Sequence, residues 1–198
     1  MSLIKLKNNA LDNLTSFTGS ASLGDMVFIS SATASSSASI EFTLGDYKEY
    51  KIFGLNLHPS NDAIGWNFNF STDNGSNYNV SKTTTSFRAT HGEDDGNTAL
   101  EYVDNDLANG TGEQVLIPAP SSSDADHGAV FIMHIFNPSS TTFVKHFIVT
   151  GNHTSNANIS TNGFIAGYAN TTSALTNIRF KASSGNIDDG KILMFGLN

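Results

Sequence analysis

The segment Ile64-Gly-Trp-Asn-Phe-Asn-Phe-Ser71 sets Ile64, Trp66, Phe68 and Phe70 on one side of an extended chain, with Asn67 and Asn69 on the other. Alternation with period two belongs to a strand with one buried face, because successive side chains in a strand point to opposite sides. Comparable short apolar runs recur through all 198 residues, separated by Gly, Asn, Ser and Asp, and helical periodicity is nearly absent. Strands are expected at Met26–Ser30, Ser39–Leu44, Tyr47–Leu57, Glu113–Ile117, Ala129–Phe136, Thr142–Thr150, Gly163–Tyr168, Leu175–Lys181 and Lys191–Leu197. Many short strands with polar turns predict an all-β chain, an antiparallel β-sandwich or barrel. Asn8–Leu14 is the only helix candidate and is too short to stand without packing.

Thr72-Asp-Asn-Gly-Ser76 follows the clearest strand, and Asn74-Gly75 can take the positive φ angles of a tight turn. A hairpin is therefore expected, with Tyr78 to Val80 beginning the return strand. Two stretches read as loops. His91–Gly112 is acidic and glycine-rich with one short strand, and Pro118–Gly128 carries two prolines and three serines. Residues 1–24 are weakly patterned and are expected to form an arm; 25–198 are expected to form one sandwich domain.

Composition removes several function classes. The absence of cysteine excludes a disulfide scaffold, a thiol nucleophile and every cysteine-held metal or cluster. With 18 acidic against 10 basic side chains, the net charge of −8 argues against a nucleic-acid partner, since such binding rests on Lys and Arg neutralising phosphates. No window approaches the ~20 apolar residues of a membrane span, and the start of the chain lacks the apolar core of a targeting leader. No nucleophile elbow, Ser-x-x-Lys pair, zinc-protease helix or phosphate-binding glycine loop occurs. Catalytic residues, metals and cofactors are therefore not expected. The acidic run at Glu93, Asp94 and Asp95 has oxygen ligands that suit calcium but lacks the spacing of a specific loop. With Tyr102, an aromatic in the same loop, these residues are the candidate ligand loop. Trp66 shares a face with Phe68 and Phe70 and is expected in the core. His134 and His146, on neighbouring strands, could meet if their register placed them side by side.

The segment Val130-Phe-Ile-Met-His-Ile-Phe136 is apolar on both faces, and Thr142–Val149 across the Asn137-Pro138-Ser139-Ser140 turn is nearly so. A sandwich strand ordinarily has one wet face. A strand apolar on both sides needs a second cover, either a loop folded over it or a neighbouring subunit. Phe131, Met133, Ile135, Val144 and Ile148 are the residues expected to make a subunit contact.

Two segments carry a resemblance. Ile135-Phe-Asn-Pro-Ser-Ser-Thr-Thr-Phe-Val-Lys-His-Phe147 is one; Leu175-Thr-Asn-Ile-Arg-Phe-Lys-Ala-Ser-Ser-Gly-Asn-Ile187, leading to Gly190-Lys-Ile-Leu-Met-Phe-Gly-Leu197, is the other. Both resemble virion structural proteins of tailed phages, the marine and cyanobacterial phage members most of all. Leu175 and Phe195 depart from that pattern, standing where the family has isoleucine and tyrosine. The turn Asp73-Asn-Gly-Ser-Asn-Tyr78 also fits, and the similarity spans roughly residues 40 to 197. The resemblance implies a jelly-roll-like module of the virion without catalysis, made in the host cytoplasm. It further implies a homo-oligomer, taken as a trimer, that contacts the major capsid protein or other virion proteins. A capsid decoration or cement protein is the role expected first; a receptor- or carbohydrate-binding module of a tail fibre or spike is the second.

Overall fold

A computed structural model describes residues 26–198, which form twelve strands and, among these described residues, no helix. They are β1 (Val27–Thr33), β2 (Ile40–Thr43), β3 (Glu49–Pro59), β4 (Ile64–Ser71), β5 (Lys82–Gly92), β6 (Ala99–Tyr102), β7 (Gln114–Ser121), β8 (Ala129–Phe136), β9 (Lys145–Thr154), β10 (Ile159–Ala169), β11 (Asn177–Ala182) and β12 (Ile187–Leu197). The candidate helix Asn8–Leu14 and the expected arm lie outside the described residues.

An eight-stranded sheet runs β1-β12-β3-β8-β9-β10-β5-β6, and a four-stranded sheet runs β2-β11-β4-β7. Every neighbouring pair is antiparallel. Setting aside the hairpins β5–β6 and β9–β10, the remaining strands read 1-12-3-8 over 2-11-4-7. Consecutive strands pair off across the two sheets and the chain ends nest against one another. That is the strand order of a jelly roll. The two hairpins add onto β8 and widen one sheet only.

Alternation decides what fills the space between the sheets. Trp66, Phe68 and Phe70 of β4 are buried, facing Phe131, Met133 and Ile135 of β8 and Phe147 and Val149 of β9. Rings meet across the gap edge-on or tilted, Phe68 with Phe147 at 5.3 Å and Phe131 with Phe180 at 5.2 Å. Trp66 is the core residue its alternation implies.

Two expectations are corrected. The turn after β4 forms, with Asn74 at φ 59° and Gly75 at φ 81°, but no hairpin follows. Both edges of β4 are already occupied, by β11 and β7, so the chain crosses to the opposite sheet as β5. Strand β5 was not legible because its sequence, Lys82-Thr-Thr-Thr-Ser-Phe-Arg-Ala-Thr-His-Gly92, is mostly polar. Similarly, Pro118 and Pro120 sit within β7 and not in a loop. A proline costs no ladder bond on the free side of an edge strand, and β7 is the edge of its sheet. The hairpin β5–β6 does supply the one short strand expected in the acidic stretch.

Strand β7 lies over the widened part of the large sheet, packed on β9 and β10. Two glycines allow this close approach: a Cβ on Gly151 would stand 2.6 Å from Ile117 Cγ1, and one on Gly163 would collide with Pro118. The inner face here is polar, with Lys82, Thr84, Ser86, Gln114, Ser121, His153 and Thr161 all buried. Ser121 Oγ and His153 Nδ1 are hydrogen-bonded at 2.5 Å, while His153 Nε2 is buried without a partner. Burial, and then the nearby Arg88 charge, push the imidazole down to about 4. The unfolded chain therefore takes up this proton near pH 6.5 and the native chain only near pH 4. Stability falls as pH drops through that window, by roughly 3 kcal/mol in full. Urea unfolding at pH 7 and pH 4.5 checks this. His153→Gln should lose less stability between the two than the native sequence does, and equal losses would refute the assignment.

Candidate assembly surface

The large sheet has an outer face as well as an inner one. Its register aligns Leu193, Phe53, Ile132, Thr150, Phe164, Phe87 and Tyr102 in one row across seven strands. A parallel row runs Phe195, Lys51, His134, Ile148, Ala166 and Thr85. Phe195 packs edge-on between Phe28 and Phe53, at 5.5 and 5.7 Å, and Phe87 stacks on Phe164 at 4.8 Å. Although these rings are packed, no segment among the described residues covers them. Phe28 is 55% exposed and Ile148 50%, with Leu55, Phe87, Val130 and Ile132 at 40% or above. Exposed apolar area this continuous is unusual on a protein that works alone.

Charged side chains on this face are few, among them Glu49, Lys51, His134 and the exposed Lys191. Lys51 Nζ lies 5.4 Å above the Phe53 ring, so its stem covers apolar surface while the ammonium stays wet. His134 Nδ1 pairs with Glu49 Oε1. Three shallow grooves mark the centre and one side of the face. One of about 300 Å³ lies between Phe53, Leu55 and Ile132, and one of about 520 Å³ among Ile132, Phe136 and Ile148. A third, of about 510 Å³, involves His146 and Tyr168.

The expected subunit contact is corrected by the phase of β8. Phe131, Met133 and Ile135 are 0–2% exposed and belong to the core, so they cannot face another subunit; Val130 and Ile132 do face outward. Ile148 is exposed on the outer face, and Val144 is half-buried just before β9. The phase had a legible signal: His134 shares parity with Val130, Ile132 and Phe136, and a polar residue marks the outer side of a half-buried strand. His146 and Thr150 mark Ile148 in the same way. Lys145 obscured it, since it lies inward with Nζ donating to the Thr171 and Ser173 carbonyls. The remaining outer residues, Phe53, Phe87 and Phe164, come from strands whose neighbours sequence cannot assign. His134 and His146 share the outer face but are not opposite one another; they face Ile148 and Tyr168.

The ligand loop is a tight turn between β5 and β6. Asp94 Oδ1 accepts the Gly96 N–H at 3.0 Å, Asp95 (φ 63°) contacts His91 at 3.2 Å, and the Glu93 N–H donates to Asn158. These contacts account for the acidic residues as turn formers. Among the described residues no three His, Asp or Glu side chains gather as a metal group. Tyr102 stands away from the turn, at the far end of β6, 59% exposed, its hydroxyl donating to Asp106. That carboxylate holds the Tyr102 pKa above the usual phenol value. Among the described residues the only Ser–His contact, Ser121 with His153, is closed from solvent on both sides.

No helix among the described residues is long and apolar enough to cross a membrane. No protein-family model matches this chain, and no curated protein does.

Neighbouring residues of β8 test the two faces directly. Phe131→Ala should cost about 3–5 kcal/mol, because it leaves a cavity between the sheets. Val130→Ala on the outer face should cost less than about 1 kcal/mol in the separated chain. Chemical denaturation at low protein concentration distinguishes them, and comparable losses would contradict the phase assigned here.

Proposed function

We propose that this chain is a structural protein of a tailed-phage virion, a capsid decoration protein that associates with itself through the outer face of its large sheet. The observation that carries the reading is the largely apolar row from Leu193 to Tyr102, which no segment among the described residues covers. Eight strands at about 4.8 Å spacing, with some four outward residues along each, present a face of roughly 700 Å². That approaches the ~800 Å² each partner contributes to a standard stable interface. A second copy is the occupant of matching chemistry, since a nearly uncharged apolar face is complementary to itself and burying it twice removes the most apolar area from water. The virion assignment rests on the resemblance of Ile135–Phe147 and Leu175–Leu197, both of which lie on strands and turns of the jelly roll. Contact with the major capsid protein is part of the same proposal; the trimer expected from the resemblance would need a second, heterologous contact, because a face paired with itself closes as a dimer.

A receptor- or carbohydrate-binding role is the second reading. Its specific support is Tyr102, exposed on the edge strand β6 and opposite Phe87, whose ring stacks on Phe164. Stacking of this kind suits weak sugar binding reinforced by several copies.

Light scattering coupled to size exclusion, at micromolar protein, should give an oligomer. The Ile132→Glu, Ile148→Glu double variant should elute as a monomer with unchanged circular dichroism. A monomeric native chain would remove the self-association. Quantitative mass spectrometry of purified virions completes the test: hundreds of copies fit decoration, a few to a few dozen fit a tail or vertex fibre, and none removes the virion reading. Quenching of the buried Trp66 cannot report sugar binding, so a glycan array with Tyr102→Ala as control serves the second reading.

A further inference from the structure

Asn69 lies on the face of β4 that alternation assigns to solvent, yet it is only 1% exposed. Chain on either side of the small sheet has closed over it. Its Nδ2 donates to the carbonyls of Tyr78, Thr111 and Gly112, at 2.7, 3.2 and 3.2 Å. Its Oδ1 accepts the Phe70 N–H at 2.9 Å and, at 2.5 Å, Lys82 Nζ. Lys82 is itself 0% exposed, and its other contact is the Val80 carbonyl.

A carboxyl group completes the cluster. Strand register sets Phe68 opposite Gln114 and Arg179 opposite Asn69, so Glu113 comes next in line beside Asn69. Glu113 Oε1 accepts from Arg179 Nη2, and that guanidinium is held 4.3 Å over the Tyr78 ring. Glu113 Oε2 is buried and has no hydrogen-bond partner. An unpartnered buried carboxylate oxygen, a buried amine and a carboxamide with each N–H engaged are costly to bring together for packing alone.

We propose that Lys82 and Asn69 are joined by an intramolecular isopeptide bond that forms after folding, with Glu113 relaying the proton. Asn69 Cγ lies one C=O bond beyond Oδ1, so Lys82 Nζ stands no more than about 3.7 Å from the carbon, close to a near-attack separation. The neutral amine attacks Cγ, and the Phe70 N–H stabilises the charge that develops on Oδ1. The Nζ–Cγ bond forms and the Cγ–Nδ2 bond breaks. One proton leaves Nζ, passes through Glu113 and reaches Nδ2, which departs as ammonia. No oxidant, metal or further reactant is needed. Burial lowers the Lys82 pKa to about 8 against the opposing pull of Glu113, which increases the share of nucleophilic amine near neutral pH. Lys145 is the internal contrast: it is equally buried, but its Nζ meets only the carbonyls of Thr171 and Ser173.

The bond would tie Asn69, near the end of β4, to the first residue of β5, bridging the crossover between the two sheets. It concerns the chain's own chemistry and stands or falls independently of the virion reading.

Mass spectrometry of the denatured native chain tests it. The expected mass is that of the sequence less one ammonia, about 17 Da. A succinimide at Asn74-Gly75 would show the same loss, so the tryptic map decides. Acylated Lys82 resists trypsin, giving residues 52–88 as one peptide, lighter by one ammonia, with no backbone fragments between 69 and 82. Cleavage at Lys145 continues as the control. The full sequence mass with separate 52–82 and 83–88 peptides would overturn the proposal. Glu113→Gln should raise the uncross-linked fraction at least tenfold; an unchanged fraction would remove Glu113 from the mechanism.

Discussion

Phe68 and Phe147 meet edge to face between the sheets, and much of the molecule follows from that contact. Phe68 belongs to the small sheet and Phe147 to a hairpin inserted between β8 and β11. Because Phe147 and Val149 continue the buried face of β8, the inserted hairpin joins the large sheet and becomes part of the same core. Strands β10, β5 and β6 then add in sequence, each on the free edge of the last. The jelly roll is thereby widened on one side only.

Unequal sheets have two physical consequences. Four strands cannot cover eight, so the part of the large sheet beyond β8 is roofed by one edge strand, β7, and by crossover loops. Chain running over a core brings backbone carbonyls with it, and those need donors. Lys82, Lys145 and Gln114 supply them from the inner face, Lys145 to Thr171 and Ser173, Gln114 to Asn105. This is why polar side chains accumulate inside this half while the half beneath β4 and β11 is aromatic. The second consequence lies on the other side. The outer surface of the large sheet is wide and apolar along one row, and among the described residues the fold provides no layer to put there.

Local sequence carried a good deal of this. Alternation located most strands within a few residues, and β8 at both ends, because burial on one face writes the period of the strand into the chain. Trp66 and the positive φ at Asn74 and Gly75 were legible for the same reason: each depends on residues a few positions away. The misses share the opposite property. Strand β5 is polar because it faces a polar layer that long-range pairing creates. The expected hairpin failed because β4 is flanked by β11 and β7, from distant parts of the chain. Prolines at 118 and 120 read as a loop until β7 proves to be an edge.

Sequence alone thus determined that the chain is all-β, cysteine-free, acidic, and in possession of a strand apolar on both faces. Which face of that strand turns outward was decided by tertiary structure. Phe131, Met133 and Ile135 found Trp66, Phe180 and their neighbours across the sandwich, leaving Val130 and Ile132 outside. The meeting of Lys82, Asn69 and Glu113 was likewise beyond any local reading. A side chain's environment is set by residues brought near in space, and period-two patterning records only that one face is buried, not what buries it.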